Sequence, residues 1–292
     1  MVWVAADNGY RYVAAIILEK YRLYVMTLLN FDEVTFDRDK ILDLEVSRIL
    51  PIKRFFSMFS EKSLILVRPR CWDDPFENFY LQCPVHSETR RENISLENLR
   101  ANWYGQSWSK RSENDAQWRI YSHREYPNDV NDPYLGVRIK TSMRKLVSYH
   151  RDENDRFAPL VYFVGRVKYL STATIEEFLG KHSFQDLACG GQSDRFAQTL
   201  LMKREAFSHE EEIRLLANVT GVDCAKRIDP INEDLFRLPI DPNALIDEVL
   251  VDPRLTEVQT HYMIAEVRRC GYMGVVKQSE LYRFTPRPIR FY

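Results

Sequence analysis

Apolar side chains recur along the chain at two spacings, one helical and one alternating. Ile49, Ile52, Phe55 and Phe56 follow the helical spacing, and Ser63-Leu64-Ile65-Leu66-Val67-Arg68 comes next as a short β-like run. The pattern predicts a helix that delivers the chain into a strand ending in arginine. Asp74-Pro75-Phe76-Glu77 is a helix-start signature, with an acid at the cap, proline at the first helical position and a second acid three residues after the cap. Ser95 is placed to cap a helix carrying Leu96, Leu99 and Trp103 on one face, before the β-like stretch Tyr104-Gly105-Gln106-Ser107-Trp108-Ser109. Ser112 is expected to cap another helix, in which Trp118, Tyr121 and Ser122 share a face.

Gly136 to Thr141 alternates apolar and basic residues as a half-buried strand does, and Val161 to Val164 and Arg166 to Tyr169 also read as β. Thr174-x-x-Glu177 opens a helix that Gly180 closes. Ser193 to Phe207 is helical by pattern, with Phe196, Leu200, Lys203 and Phe207 on one stripe, and a strand from Glu210 to Val219 follows. Near the C-terminus, Ile246 to Val251 reads as β, Thr256-x-x-Gln259 caps a helix, and Gly271 ends it before a strand from Gly274 to Gln278. Strands interrupted by helices, with a final β-α-β unit, predict the α+β class. Residues 1–45, with apolar clusters Tyr10 to Leu18 and Tyr21 to Leu29, are expected to form an N-terminal extension, and 46–292 a single domain.

Composition narrows the function classes. The 41 Lys and Arg residues nearly balance the 42 Asp and Glu, for a net charge of −1, so broad adhesion to nucleic acid or an anionic membrane is not expected. The apolar run Val13 to Leu18 stops at Glu19, far short of the roughly 20 residues that span a bilayer. The 5 cysteines are scattered without a CxxC, and the 6 histidines include no pair at zinc-ligand spacing. The expectation is a cytoplasmic protein without a disulfide framework or a bound metal.

Several motifs, in order, resemble a bacterial family known as domain of unknown function 2971. They are Trp72-Asp73-Asp74-Pro75-Phe76-Glu77, Ser107-Trp108-Ser109 followed by Trp118 and Tyr121, the Gly136-Val137 strand, Val167-Lys168-Tyr169, the Lys203 to Arg214 block and the final β-α-β unit. That family name supplies no activity. A second resemblance does. An arginine ending one strand (Arg68, or Arg70 on the same face), a Ser-x-Ser strand (Ser107, Ser109) and a Glu-x-Glu strand start (Glu210, Glu212) are similar in order to ADP-ribosyltransferases of the arginine, serine, glutamate type.

That resemblance implies a mixed, split β-sheet core with flanking helices, and NAD as the substrate. A guanidinium grips a diphosphate bidentately, and a carboxylate near the ribose stabilises the charge that develops as the nicotinamide bond breaks. By the resemblance, Arg68 holds the NAD phosphates, Ser107 orients the nicotinamide side, Glu212 binds the ribose and Glu210 positions the acceptor nucleophile. Trp108, Trp118 or Tyr121 would stack on the nicotinamide, and Lys203 would be a second phosphate contact. The implied partners are an unidentified protein or nucleic-acid acceptor and an antitoxin or inhibitor, in a bacterial toxin or anti-phage setting.

Two departures stand against the pattern. Trp108 occupies the position between the serines where threonine is usual, and Glu210-Glu211-Glu212 leaves open which acid points inward. An accessible Glu212 predicts that Glu212→Gln costs less than about 1 kcal/mol. Other readings remain in competition. One is a non-catalytic module binding a nucleotide, nucleic acid or protein through aromatics and the basic strand Arg138 to Lys140, and the other is a metal-dependent nuclease using Asp73, Asp74, Glu210 and Glu212. Structural roles compete for single residues: capping is the stronger reading for Asp74 and Glu77, with Glu77 a secondary site candidate, while Arg214 would neutralise one acid and Lys203 would snorkel to water.

Overall fold

The computed structural model describes residues 3–7, 10–19, 22–29, 38–72, 74, 76–77, 82–87, 91–110, 113–126, 128–129, 132–149, 162–181, 194–219 and 226–290. Runs rich in β-branched and aromatic residues become strands wherever turn or polar residues bound them. In chain order these are β1 (Trp3–Asp7), β2 (Tyr10–Glu19), β3 (Arg22–Leu29), β4 (Glu45–Pro51), β5 (Ser63–Val67), β6 (Val85–Ser87), β7 (Glu92–Ile94) and β8 (Trp103–Ser109). There follow β9 (Gly136–Ser142), β10 (Tyr162–Arg166), β11 (Lys168–Leu170), β12 (Met202–Arg204), β13 (Glu212–Asn218), β14 (Leu235–Pro239), β15 (Glu248–Val251) and β16 (Val275–Gln278). The helices are α1 (Arg38–Leu42), α2 (Ile52–Glu61), α3 (Glu97–Arg100), α4 (Asp115–Tyr121), α5 (Met143–Tyr149), α6 (Thr172–Lys181), α7 (Asp194–Thr199), α8 (Pro242–Leu245) and α9 (Glu257–Arg269). The α+β class with a mixed sheet is thus present.

The chain gathers into two compact units, both discontinuous: Met1–Leu44, Leu64–Lys110 and Met143–Pro239 form one, and Glu45–Ser63, Arg111–Ser142 and Ile240–Tyr292 the other. In the first, strands lie in the order β1-β2-β3-β10-β13-β8, with β5 joined to β8 through Val67 opposite Gly105, and β14 paired with β5. β10, β13 and β8 run antiparallel to their neighbours in that series, whereas β3 joins β10 in parallel. The stretch expected as an extension therefore supplies strands to this sheet. One face carries a core of Leu29, Trp103, Phe163, Phe196, Leu200, Leu201 and Leu216, to which α6 adds Ile175 and Phe178.

In the second unit the order is β4-β9-β15-β16, and α9 links the parallel pair β15 and β16 as the expected β-α-β unit. Its capping box is complete, with Thr256 Oγ1 accepting from Gln259 N and Gln259 Oε1 accepting from Thr256 N. Gly271, at φ 102°, turns the chain after the helix. α2 buries Ile52, Phe55 and Met58 on one stripe, while Ile49 belongs to β4 and not to the helix. Asn114 caps α4 by accepting from Gln117 N; the expected cap Ser112 lies outside the described residues. The basic strand is matched by acids: Lys140 pairs with Glu45 at 3.1 Å and Arg138 stands 3.8 Å from Glu248. No helix among the described residues is long and apolar enough to cross a membrane.

Candidate active site

Ser107, Ser109, Glu212 and Arg214 come together because β8 and β13 are antiparallel neighbours in register. Ser109 lies opposite Glu212, Ser107 opposite Arg214, and Gly105 opposite Leu216. Paired residues of an antiparallel ladder project to the same side, so these polar groups share the face that carries the core, while Trp108 and Ile213 project to the other. On β10 the residue opposite Arg214 is Gly165, so the long guanidinium chain is flanked by a glycine and a serine that leave it room. A Cβ on Gly105 would stand 2.7 Å from Trp72 Cζ2, so glycine there admits the Trp72 ring, over which the Arg214 guanidinium lies at 4.5 Å.

The two acids reach the same place by different routes. Glu212 opens β13, whereas Glu210 ends a 3-10 turn, Glu205–Glu210, and Glu211 between them takes the left-handed conformation at φ 43°. That one residue reverses the chain, so Glu210 and Glu212 are both buried and Glu211 is half-exposed. The ambiguous register is thereby resolved to the pair 210 and 212. Ser109 Oγ holds the bend by donating to Glu210 O at 2.7 Å, and Tyr169 Oη accepts from Glu212 N at 2.8 Å.

Lys203 is the hub. The helix expected from Ser193 to Phe207 stops at Thr199, because Lys168 N takes Leu201 O and residues Met202–Arg204 pair in parallel with β11. This places the ammonium, 7% exposed, between three carboxylates: Glu210 at 2.5 Å, Glu212 at 2.7 Å and Glu77 at 2.8 Å. Lysine has three N–H donors, and here each has an acid. The expected role of Lys203 as a phosphate contact is therefore replaced by that of counter-charge. Arg214, 1% exposed, gives Nε to Glu212 at 2.8 Å, Nη2 to Glu77 at 3.1 Å and Nη1 to Leu200 O at 2.8 Å. Phe207 lies under Lys203, and Arg204 stacks on Phe76 while its guanidinium pairs with Asp74 at 2.7 Å.

The charge count explains the titration. Three buried carboxylates face two cations, Lys203 and Arg214, so the group holds one more acid than cation. Burial, then the hydrogen bond and charge of Glu212, push the Glu210 carboxyl up to about 7. Burial also opposes ionisation of Glu212, but Arg214, the Glu210 hydrogen bond and Lys203 outweigh it and hold Glu212 well below the usual carboxylate range. Burial works against the Lys203 ammonium too, yet its three acids raise it above its ordinary value. Burial and the charge of Glu212 raise the Tyr169 hydroxyl, keeping it protonated. An isosteric Gln at Glu212 is thus not the mild change expected of an accessible group.

The remaining expected site residues lie elsewhere. Arg68, 8% exposed, donates Nε to Tyr104 Oη at 3.1 Å and pairs through Nη1 with Glu233 at 2.8 Å. Arg70 pairs with the same Glu233 oxygen at 3.1 Å and with Asp234 at 2.6 Å. Trp118 and Tyr121 belong to the second unit. Trp118 is fully buried against Ile49 and Leu250, with Nε1 donating to Glu113, so no face of its ring is open to a nicotinamide; Tyr121 is exposed on α4. Among the described residues, Trp72 lies against Arg214, Phe207 against Lys203, and Tyr169 Oη accepts from Glu212 N.

Glu77, expected first as a helix cap and second as a site residue, takes the second role: Asp74 accepts from Phe76 N at 3.0 Å, while the Glu77 carboxylate binds Lys203 and Arg214. The motif Trp72 to Glu77 carried that signal, since it brings both the ring and the third acid. Among the described residues, no group of three His, Cys, Asp or Glu side chains could hold a metal ion, and Asp73 lies outside them.

No family model and no curated protein matches the chain. Among solved structures it is similar to Thermus sp. 2.9 DarT in complex with NAD+, at 9% identity and a TM-score of 0.36, covering 83% of this chain and 98% of that one. DarT in complex with ADP-ribosylated ssDNA matches at 10% identity and 0.36, covering 83% and 97%, and in complex with carba-NAD+ at 10% and 0.35, covering 83% and 98%. At scores this low the likeness carries no weight for activity, which has to be argued from the residues themselves.

Proposed function

We propose that the chain catalyses NAD-consuming glycosyl transfer, as an ADP-ribosyltransferase or an NAD glycohydrolase. One observation carries the reading: the strand that leads into Arg68, the strand of Ser107 and Ser109, and the strand that opens with Glu212 are hydrogen-bonded neighbours in that order, with Ser109 directly opposite Glu212. The paired acids support it, because environments that push two carboxyls apart divide the labour of an acid and a base. Glu212, ionised, is suited to stabilise the positive charge that builds on the ribose carbon as the nicotinamide bond breaks. Glu210, titrating at about 7, is suited to take a proton from the attacking acceptor or water.

Arg68 and Arg70 already grip carboxylates, which is the chemistry that a diphosphate would use. Lys203 and Arg214 hold the two acids in a fixed relation. A macromolecular acceptor, a toxin or anti-phage setting and a cognate antitoxin belong to the same proposal.

Calorimetric titration of NAD, with nicotinamide release followed in the same sample, tests this on wild type and Glu212→Gln. Binding with release that disappears in the variant is expected, the melting temperature being recorded to separate lost chemistry from lost fold. No binding to wild type, with or without divalent metal, would return the acid cluster to a purely structural role.

A further inference from the structure

Arg68 and Arg70 sit two residues apart at the exit of β5, and one carboxylate oxygen, Glu233 Oε1, bridges their guanidiniums at 2.8 and 3.1 Å. A phosphoryl oxygen would bridge them in the same way. The backbone around Glu233 is pinned: Tyr104 Oη donates to Glu233 O at 2.7 Å, Arg68 N donates to Asp234 O at 2.9 Å, and Asp229 Oδ1 accepts from Ile231 N and Asn232 N. Asp234 is also a fixed partner, with Oδ1 on Arg70 Nε at 2.6 Å and its side chain 22% exposed. The Glu233 side chain, in contrast, is 67% exposed, so a rotation about its own bonds releases it to water without moving the turn.

With Glu233 rotated out, two guanidiniums remain beside the single carboxylate of Asp234, and the cradle carries a net positive charge. With Glu233 in place it is neutral. We propose that Glu233 is a built-in stand-in for a phosphate, a side-chain gate that occupies the Arg68 and Arg70 cradle until a diphosphate group displaces it. The proposal rests on the assignment of these arginines as the phosphate-holding pair and adds an internal competitor to it.

Calorimetric titration of inorganic pyrophosphate into the full chain, at fixed ionic strength, tests the gate. Glu233→Gln keeps the shape and removes the charge at an exposed position, so the fold is expected to persist. Its pyrophosphate dissociation constant should be tighter than wild type by about fivefold or more, the scale of the exposed ion pairs that no longer compete. The gain should vanish in the double variant Glu233→Gln, Arg70→Ala. Equal affinities in wild type and Glu233→Gln, no measurable binding to Glu233→Gln, or a gain that survives the loss of Arg70 would each overturn the proposal. Tighter pyrophosphate binding without nicotinamide release by any of these proteins would uphold the gate and remove the glycosyl-transfer reading.

Discussion

At Glu210 a single proton sets the charge balance of the whole acid cluster. Folding lifts its carboxyl from 4.5 to about 7, so between those values the native state keeps a proton that the unfolded chain has lost. Binding more protons when folded means that this residue's contribution to stability declines as pH rises through that window. Glu212 has the opposite sign: held low, it contributes above 4.5, and that contribution is lost as pH falls through its depressed folded value. Glu210→Gln removes the first term and leaves the second. Its melting temperature relative to wild type is therefore expected to climb between about pH 5 and about pH 8, and a difference that stays flat across thermal scans in that range would show that Glu210 titrates as it does unfolded. The same logic bears on Glu212→Gln. Taking away a buried, doubly paired carboxylate costs about 3–5 kcal/mol when nothing replaces it, but here Glu210 is available to ionise in its stead.

At the scale of elements, the site depends on small residues at set ladder positions. Gly105 faces Leu216 across β8 and β13, and a methyl group there would meet Trp72 Cζ2 at 2.7 Å and Leu216 Cδ2 at 3.0 Å. Gly105→Ala is expected to push the Trp72 ring from Arg214 and to cost about 1–3 kcal/mol by overpacking, read as a lowered melting temperature; a neutral result would mean that Trp72 has room to shift without disturbing the cluster. Much of this ladder is legible in the sequence. The Ser107 and Ser109 strand and the strand into Arg68 fall where the pattern puts them, and the glutamate strand does so from Glu212 onward, whereas Glu210, expected on that strand, ends a 3-10 turn. Lys203 is misplaced by the same rule, since Phe196, Leu200, Lys203 and Phe207 do match a helical stripe, and only the pairing of β12 with β11 breaks it after Thr199. Local periodicity has no access to a bond such as Lys168 N to Leu201 O, which is made across a gap in the chain. The same limit hides the partners of Glu77, since Lys203 and Arg214 come from strands more than a hundred residues later.

At the scale of the molecule, element types are legible and grouping is not. The C-terminal β-α-β unit can be read from Thr256, Gln259 and Gly271 because caps are local signals, and it appears with its capping box intact. The division into two discontinuous units is set by long-range strand pairing, which leaves no linker or composition shift to read. The N-terminal stretch is the clearest case. Its charged segment and weak caps look like an appendage, yet β3 hydrogen-bonds in parallel to β10, with Thr27 to Leu29 opposite Phe163 to Gly165, and Leu29 is 1% exposed in the core with Phe163 and Leu201. A chain that starts at Glu45 would lose those strands, open the edge of β10 and leave a cavity where Leu29 packs. Loss of one buried leucine costs about 2–5 kcal/mol, which lowers the melting temperature by on the order of 10 °C in a protein of this size. The bared strand edge adds a tendency to self-associate that light scattering would detect. A truncated chain that stays monomeric and melts with the full-length protein would mean instead that β1 to β3 lean on a sheet already complete at β10, and that the unit holding Glu210, Glu212 and Lys203 is stable without them.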